Sequence, residues 1–179
     1  MILHSLVYQI DAKDCLVNVS NNWDEWAFAN GGVEVTRHSV INQSIFGFIS
    51  GESCRQIYRL LIDHVRKKHQ ESVFQFRCDS PGLRRYMEMK IMPEDDGYVV
   101  FESHVLKEDP RPDVSVLDLT SPRSHQSVVM CSLCQKVKCS DHQWQEIELV
   151  LDTEGFSVKP YPQLIYSVCE SCVSKLKLG

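Results

Sequence analysis

Cys131-Ser-Leu-Cys134 and Cys169-Glu-Ser-Cys172 form two CxxC pairs separated by 34 residues. Two thiolates at this spacing chelate one ion from a tight knuckle. Two such knuckles complete the tetrahedral four-sulfur shell that a structural zinc favours. A single pair would fit an exchanging dithiol equally well, which requires a low-pKa, exposed cysteine and no bound metal. The doubling points to zinc, with Cys131, Cys134, Cys169 and Cys172 as its ligands. A closed four-cysteine shell leaves no open position for water, so the expected role is structural rather than hydrolytic.

The residues between the pairs fit that role. Trp144, Ile147, Leu149, Val150, Leu151, Phe156, Leu164 and Ile165 supply a small apolar cluster. Alone, it would bury too little surface to hold some 50 residues together, and a metal cross-link offsets the deficit. Loss of one ligand should therefore loosen residues 128–179 first. Cys172-Val-Ser-Lys-Leu-Lys-Leu predicts a short terminal helix with the second pair at its positive N-terminus. Cys139 and His142 could substitute as ligands, but the four-sulfur set is complete without them, which leaves a free thiol and a surface imidazole. Cys15, Cys54 and Cys78 have apolar neighbours and are expected to be small buried hydrophobes.

These groups need a scaffold, and the chain divides into three parts: 1–106, 107–127 and 128–179. Their net charges are −3, −1 and −1, within 179 residues carrying 19 basic and 24 acidic side chains. None is a basic arm, so nucleic acid is not an expected partner. No apolar run reaches the roughly 18–20 residues that cross a bilayer. The N-terminus lacks the basic and apolar regions of a signal peptide, so no membrane association and a cytoplasmic location are expected. Residues 107–127 carry three of the seven prolines and predict a linker with one short apolar anchor around Val114, Val116, Leu117 and Leu119.

In 1–106, Leu6–Ile10 and Cys15–Val19 predict a hairpin, followed by a loop or short helices around Trp23, Trp26 and Phe28 and a segment from Val40 to Ile49. The clearest helix is 53–69. Cys54, Ile57, Tyr58, Leu61, Ile62 and Val65 recur on one face, with Ser50 as the expected N-cap. Strands are predicted at Val73–Cys78, Leu83–Met92 and Tyr98–Val105, separated by Ser80-Pro81-Gly82 and Pro93–Gly97. Five strands with all helices between the second and third predict an α+β fold: an antiparallel sheet with its helices on one face.

That order resembles a PAS domain over about residues 1–106. Ser50-Gly51-Glu52 before an amphipathic helix, Phe76-Arg77-Cys78-Asp79-Ser80-Pro81, Arg84-Arg85-Tyr86-Met87-Glu88-Met89 and Phe101-Glu102-Ser103 are similar to a subgroup of bacterial PAS-like proteins. The C-terminal segment resembles a cysteine-rich unit found after PAS or receiver domains in bacterial signalling proteins, a zinc-ribbon or treble-clef-like module. The family's ending, His-Gly-Ile-Cys-Pro-x-Cys, is changed here. Tyr166-Ser167 replace His-Gly and Glu170 replaces the proline, while all four cysteines remain.

The resemblance implies a PAS-like sensing or dimerisation domain joined to a structural zinc module, acting on a protein partner in trans. It raises the prospect of a small-molecule cavity lined by Trp23, Trp26, Phe28, Phe46, Phe48, Phe74, Phe76 and Tyr86, for which core packing is the simpler use. Two alternatives are a thiol-redox protein and a haem-based sensor. Haem would need His64 or His69 to point into the cavity, whereas the periodicity puts His64 at the polar edge of its helix. Arg66-Lys67-Lys68 fits a solvated helix end, or an anion patch if joined in space by Arg84 and Arg85. A homodimer is expected, with apolar Met1-Ile2-Leu3 and Leu6 near its contact. No phosphate-binding glycine loop, nucleophile elbow or HExxH is present, so the protein is not expected to be an enzyme.

Overall fold

A computed structural model describes residues 5–176. Its first unit is a five-stranded antiparallel sheet built from β1 (Leu6–Ile10), β2 (Leu16–Val19), β3 (Ser72–Arg77), β4 (Leu83–Pro93) and β5 (Val99–Pro110), in the order β2-β1-β5-β4-β3. Three helices lie between β2 and β3: α1 (Trp23–Ala29), α2 (Arg37–Val40) and α3 (Glu52–Lys68). The α+β class and the antiparallel five-stranded sheet thus agree with the sequence.

Alternation decides which sheet face is covered. Val99, Phe101, Ser103 and Val105 of β5 and Met87, Met89 and Ile91 of β4 are buried, while the alternate residues between them are more exposed. Registers such as Ile91 opposite Phe101 and Met87 opposite Val105 stack these side chains on one face. Cys54, Ile57, Leu61, Ile62 and Val65 of α3 close over it, at the spacing of a single helical face. Each such large apolar side chain contributes about 2 kcal/mol by leaving water.

Helix α3 starts differently from the expectation. Its N-cap is Gly51, not Ser50, and no side chain caps it. Gly51 has φ +85, which only glycine adopts without strain. At the far end His69 takes a left-handed conformation and closes the helix.

The second unit is a four-stranded sheet in the order β8-β7-β6-β9, from β6 (Arg123–Cys131), β7 (Val137–Lys138), β8 (Trp144–Gln145) and β9 (Tyr161–Ser167). One-turn helices α4 (Ile147–Val150) and α5 (Glu170–Val173) flank β9 in sequence. β6 and β9 run parallel, with Cys131 opposite Ser167. Parallel neighbours need a crossover, and β7, β8 and α4 make up this one.

The stretch 107–127 holds the end of β5, a 3-10 turn at Ser115–Leu117 and the start of β6. Val114, Val116 and Leu117 are buried against Val128, Met130, Ile147 and Phe156 of the second unit. Of the apolar cluster expected there, Ile147, Val150 and Phe156 are buried, whereas Leu149 and Ile165 are largely exposed. Leu149 projects from a helix of one turn, too short to bury residues on two sides. Among the described residues no helix is long and apolar enough to cross a membrane. Met1, Ile2 and Leu3, expected near a dimer contact, lie outside the described residues; Leu6 is half-buried and lines an apolar cavity.

Candidate functional site

The parallel pairing of β6 and β9 assembles the cysteines. Both strands end at the same edge of their sheet, so the knuckle after β6 and the one after β9 emerge side by side. The first is closed by Cys131 N–H to Lys136 O (2.8 Å) and Gln135 N–H to Cys131 O (2.9 Å), with Gln135 left-handed at φ 60. The second begins two residues beyond Ser167, the last paired residue of β9, where Cys169 opens α5 and receives Cys172 N–H on its carbonyl (2.9 Å). The Sγ atoms of Cys131, Cys134, Cys169 and Cys172 all lie within 4.8 Å of one another.

This spacing fits a metal. A tetrahedron with metal–sulfur bonds of about 2.3 Å has edges of about 3.8 Å. Cys134 Sγ and Cys169 Sγ are 3.8 Å apart. Backbone donors support the thiolates as well: Cys169 N–H points at Cys131 Sγ (3.4 Å), and Lys136 N–H at Cys134. Without a cation, four thiols this close share their protons unevenly. Hydrogen bonds from the Cys134 and Cys172 side chains hold Cys131 far below the ordinary thiol range. Donating to Cys131 pushes Cys134 up to about 11, and the same role raises Cys172. A divalent cation relieves this by taking the place of the protons.

The expected terminal helix is shorter than its sequence pattern. α5 spans only Glu170–Val173, too short for a substantial dipole, and the direct donor to a cluster sulfur is the Cys169 N–H. Cys139 and His142 remain outside the cluster, and Cys139 is buried in the second core rather than free at the surface. Cys54 is buried as expected, with its Sγ 3.2 Å from Ser132 Oγ, while Cys15 and Cys78 are only half-buried.

The changed residues of the C-terminal ending all have partners. Tyr166 and Ser167 abut the start of α3, where Ser167 Oγ lies 3.1 Å from Ser53 Oγ. A Cβ added to Gly51 would stand 2.1 Å from the Tyr166 carbonyl oxygen. Glu170 accepts the Trp144 indole N–H (3.1 Å). The cysteine unit is therefore seated on the first unit: Cys131, Leu133, Cys169 and Leu176 share one core with Ile57, Leu61, Ile62 and Val65. Gly51→Ala should accordingly lower stability by more than about 2 kcal/mol, through both backbone strain and the clash. Gly47→Ala, whose Cβ would meet nothing within 4 Å, is the control. Urea denaturation compares them, and equal midpoints would rule out this close approach.

An arginine–carboxylate network ties the same junction, and spacing gave no sign of it. The Asp79 carboxylate is fully buried between Arg77 and Arg111, with Arg111 Nη1 at 3.2 Å. Arg77 also reaches Glu146 (2.7 Å), and Arg84 and Arg111 both donate to Glu148 Oε1 (2.7 and 2.5 Å). β3 adds a backbone link, Arg77 N–H to Leu133 O at 2.7 Å. The suggested anion patch does not form. Arg66 is occupied with Asp14 and the carbonyls of Asp11 and Gly97, and Arg84 with Glu146 and Glu148.

Beside the junction, between the sheet and its helices, lies an apolar cavity of about 400 Å³. Tyr8, Trp23, Trp26, Phe48 and Tyr58 line it, so three of the eight aromatics proposed from sequence contribute and two tyrosines are added. Phe74 and Phe76 pack with the core, while Phe28 is exposed. Tyr8 stacks on Phe101 at a centroid distance of 4.7 Å. Burial raises the phenols of Tyr8 and Tyr58, the latter to about 12, so both are neutral hydroxyls. Among the described residues neither hydroxyl has a hydrogen-bond partner. No histidine among the described residues lines the cavity; His64 is half-buried elsewhere and His69 is exposed.

No protein-family model and no curated protein matches the chain. Among solved structures, a sensory box sensor histidine kinase from Vibrio cholerae is similar at a TM-score of 0.41 and 13% identity, over 59% of this chain and 83% of that one.

Proposed function

We propose that the protein is a signalling regulator, in which a PAS-like sensing and dimerisation unit carries a zinc module that docks a protein partner in trans. The observation that carries this reading is the shared core. The four-cysteine cluster shares a core with α3, which contributes Tyr58 to the cavity wall, so a change in the cavity has a short mechanical route to the metal unit. Zinc is the metal favoured by four clustered sulfurs, and its role is to hold the second unit's shape.

The proposal includes no turnover. The cysteine cluster offers a metal four ligands and leaves no water position, and the cavity's titratable groups are two neutral phenols. A dithiol exchanger would present one accessible pair, whereas here four sulfurs converge and Cys131 is buried. A haem sensor would need an axial histidine in the cavity wall, and among the described residues none lines it.

Native mass spectrometry of the full chain tests the reading in one measurement. One zinc per chain and a dimer mass at about 50 µM are the expected result. Zinc well below one per chain in protein prepared without chelator would overturn the metal assignment, and a monomer at that concentration the dimer.

A further inference from the structure

The apolar cavity opens beyond its own walls. Asn30, Phe48, Ile49 and Tyr58 line both it and a cleft of about 640 Å³ between the first unit and the metal unit, so the two spaces meet at a neck. The neck is polar. Asn30, the C-cap of α1, donates through Nδ2 to Trp26 O (2.8 Å) and accepts at Oδ1 from Arg85 Nη1 (3.0 Å). Arg85 lines the cleft, with its guanidinium carbon 5.3 Å from the centroid of the Trp26 ring.

Arg85 keeps capacity for another acceptor. Its Nε is bound to Glu108 Oε1 (2.9 Å), and Nη1 also reaches Cys78 O (3.4 Å). Among the described residues Nη2 has no partner. The acids nearby are engaged elsewhere: Asp79 is held by Arg77 and Arg111, and Asp118 accepts from Thr120 and Ser121. Glu108, the carboxylate paired with Arg85, is 40% exposed.

We propose that cavity and neck together bind a small aromatic carboxylate. Its flat apolar body lies among Tyr8, Trp23, Trp26 and Tyr58, and its carboxylate meets Arg85 at the neck. The proposal rests on reading the cavity as the sensing site, and it assigns the ligand class. Aromatic walls favour a flat ring, and a guanidinium with an unpartnered Nη2 favours a carboxylate over a neutral group. Phe48 and Ile49 lead directly into Gly51, whose backbone touches Tyr166, so an occupant at the neck bears on the segment that contacts the metal unit.

Isothermal titration of the full chain with 2-naphthylacetate and its neutral twin 2-naphthylacetamide tests this. The carboxylate should bind at least about tenfold more tightly. Asn30→Asp adds a negative charge at the neck while keeping an acceptor for Arg85, and it should abolish that preference. Should circular dichroism show this variant misfolded, Arg85→Gln makes the same comparison. Ala27→Phe, which fills the cavity wall, should remove binding of both probes. Equal binding of the two probes, or a preference that survives at the neck variants, overturns the carboxylate assignment while the cavity stands as a ligand site. Failure of both probes to bind the wild-type chain also overturns the assignment. Binding that survives Ala27→Phe places the probes elsewhere and overturns the cavity reading too.

Discussion

On the proposed zinc assignment, removing the metal with a strong chelator, or replacing Cys169 with serine, is expected to unfold the second unit and to loosen the N-terminal half of α3 with it. The free energy of filling a four-cysteine site is folding free energy, of order 10 kcal/mol or more for small zinc units. The sequence confined the damage to residues 128–179. The shared core extends it: Cys131, Leu133, Cys169 and Leu176 are buried against Ile57, Leu61, Ile62 and Val65, and Ser53, Cys54 and Gly51 touch Ser167, Ser132 and Tyr166. Hydrogen exchange followed by mass spectrometry should show lost protection over 123–176 and over the first two turns of α3, with β4 and β5 retained. Protection lost in 128–176 alone would mean that the two units are mechanically independent.

The second large effect is expected from Asp79→Ala. Its carboxylate is fully buried and holds both Arg77 and Arg111, whose side chains are 9% and 6% exposed. Removing it leaves the two buried guanidinium groups with Glu146 and Glu148 as their remaining carboxylate partners, and breaking a buried ion pair from one side costs up to about 3–5 kcal/mol. That is a large fraction of the 5–15 kcal/mol typical of whole domains. Asp63→Ala, which breaks an exposed pair with Lys67, should change stability by less than about 0.5 kcal/mol. Similar urea midpoints for the two variants would show that the network is solvated in solution.

The same network sets an acid response. Burial alone would raise the Glu148 carboxyl, but hydrogen bonds from its own backbone N–H, Arg84 and Arg111 outweigh it and bring the group down to about 2. A carboxylate depressed in the folded state stabilises fully above its unfolded value of 4.5, and this contribution is lost as pH falls towards about 2. The junction should therefore weaken over that window, and Glu148→Gln should remove this part of the pH dependence in acid titrations followed by tryptophan fluorescence.

Local pattern determined several parts of this protein by itself. The two CxxC pairs singled out the four cysteines that cluster, because a chelating knuckle is a four-residue property. The face of α3 followed from apolar residues at three- and four-residue steps, and the five strands followed from alternation between turn sequences. What only the tertiary structure decided is how distant segments meet. Parallel pairing of β6 with β9 brings the knuckles together across 34 residues, and no local period encodes a parallel partner. Gly51 looked like the middle of a capping run, and its need for glycine comes from a carbonyl 115 residues away. Arg84 and Arg85 looked like part of a basic patch. Their partners, Glu146 and Glu148 for one and Glu108 and Asn30 for the other, are set by the docking of the second unit and by strand register. Charge and polarity are written residue by residue, but whether a charge is free, paired or buried depends on which surfaces the fold brings into contact.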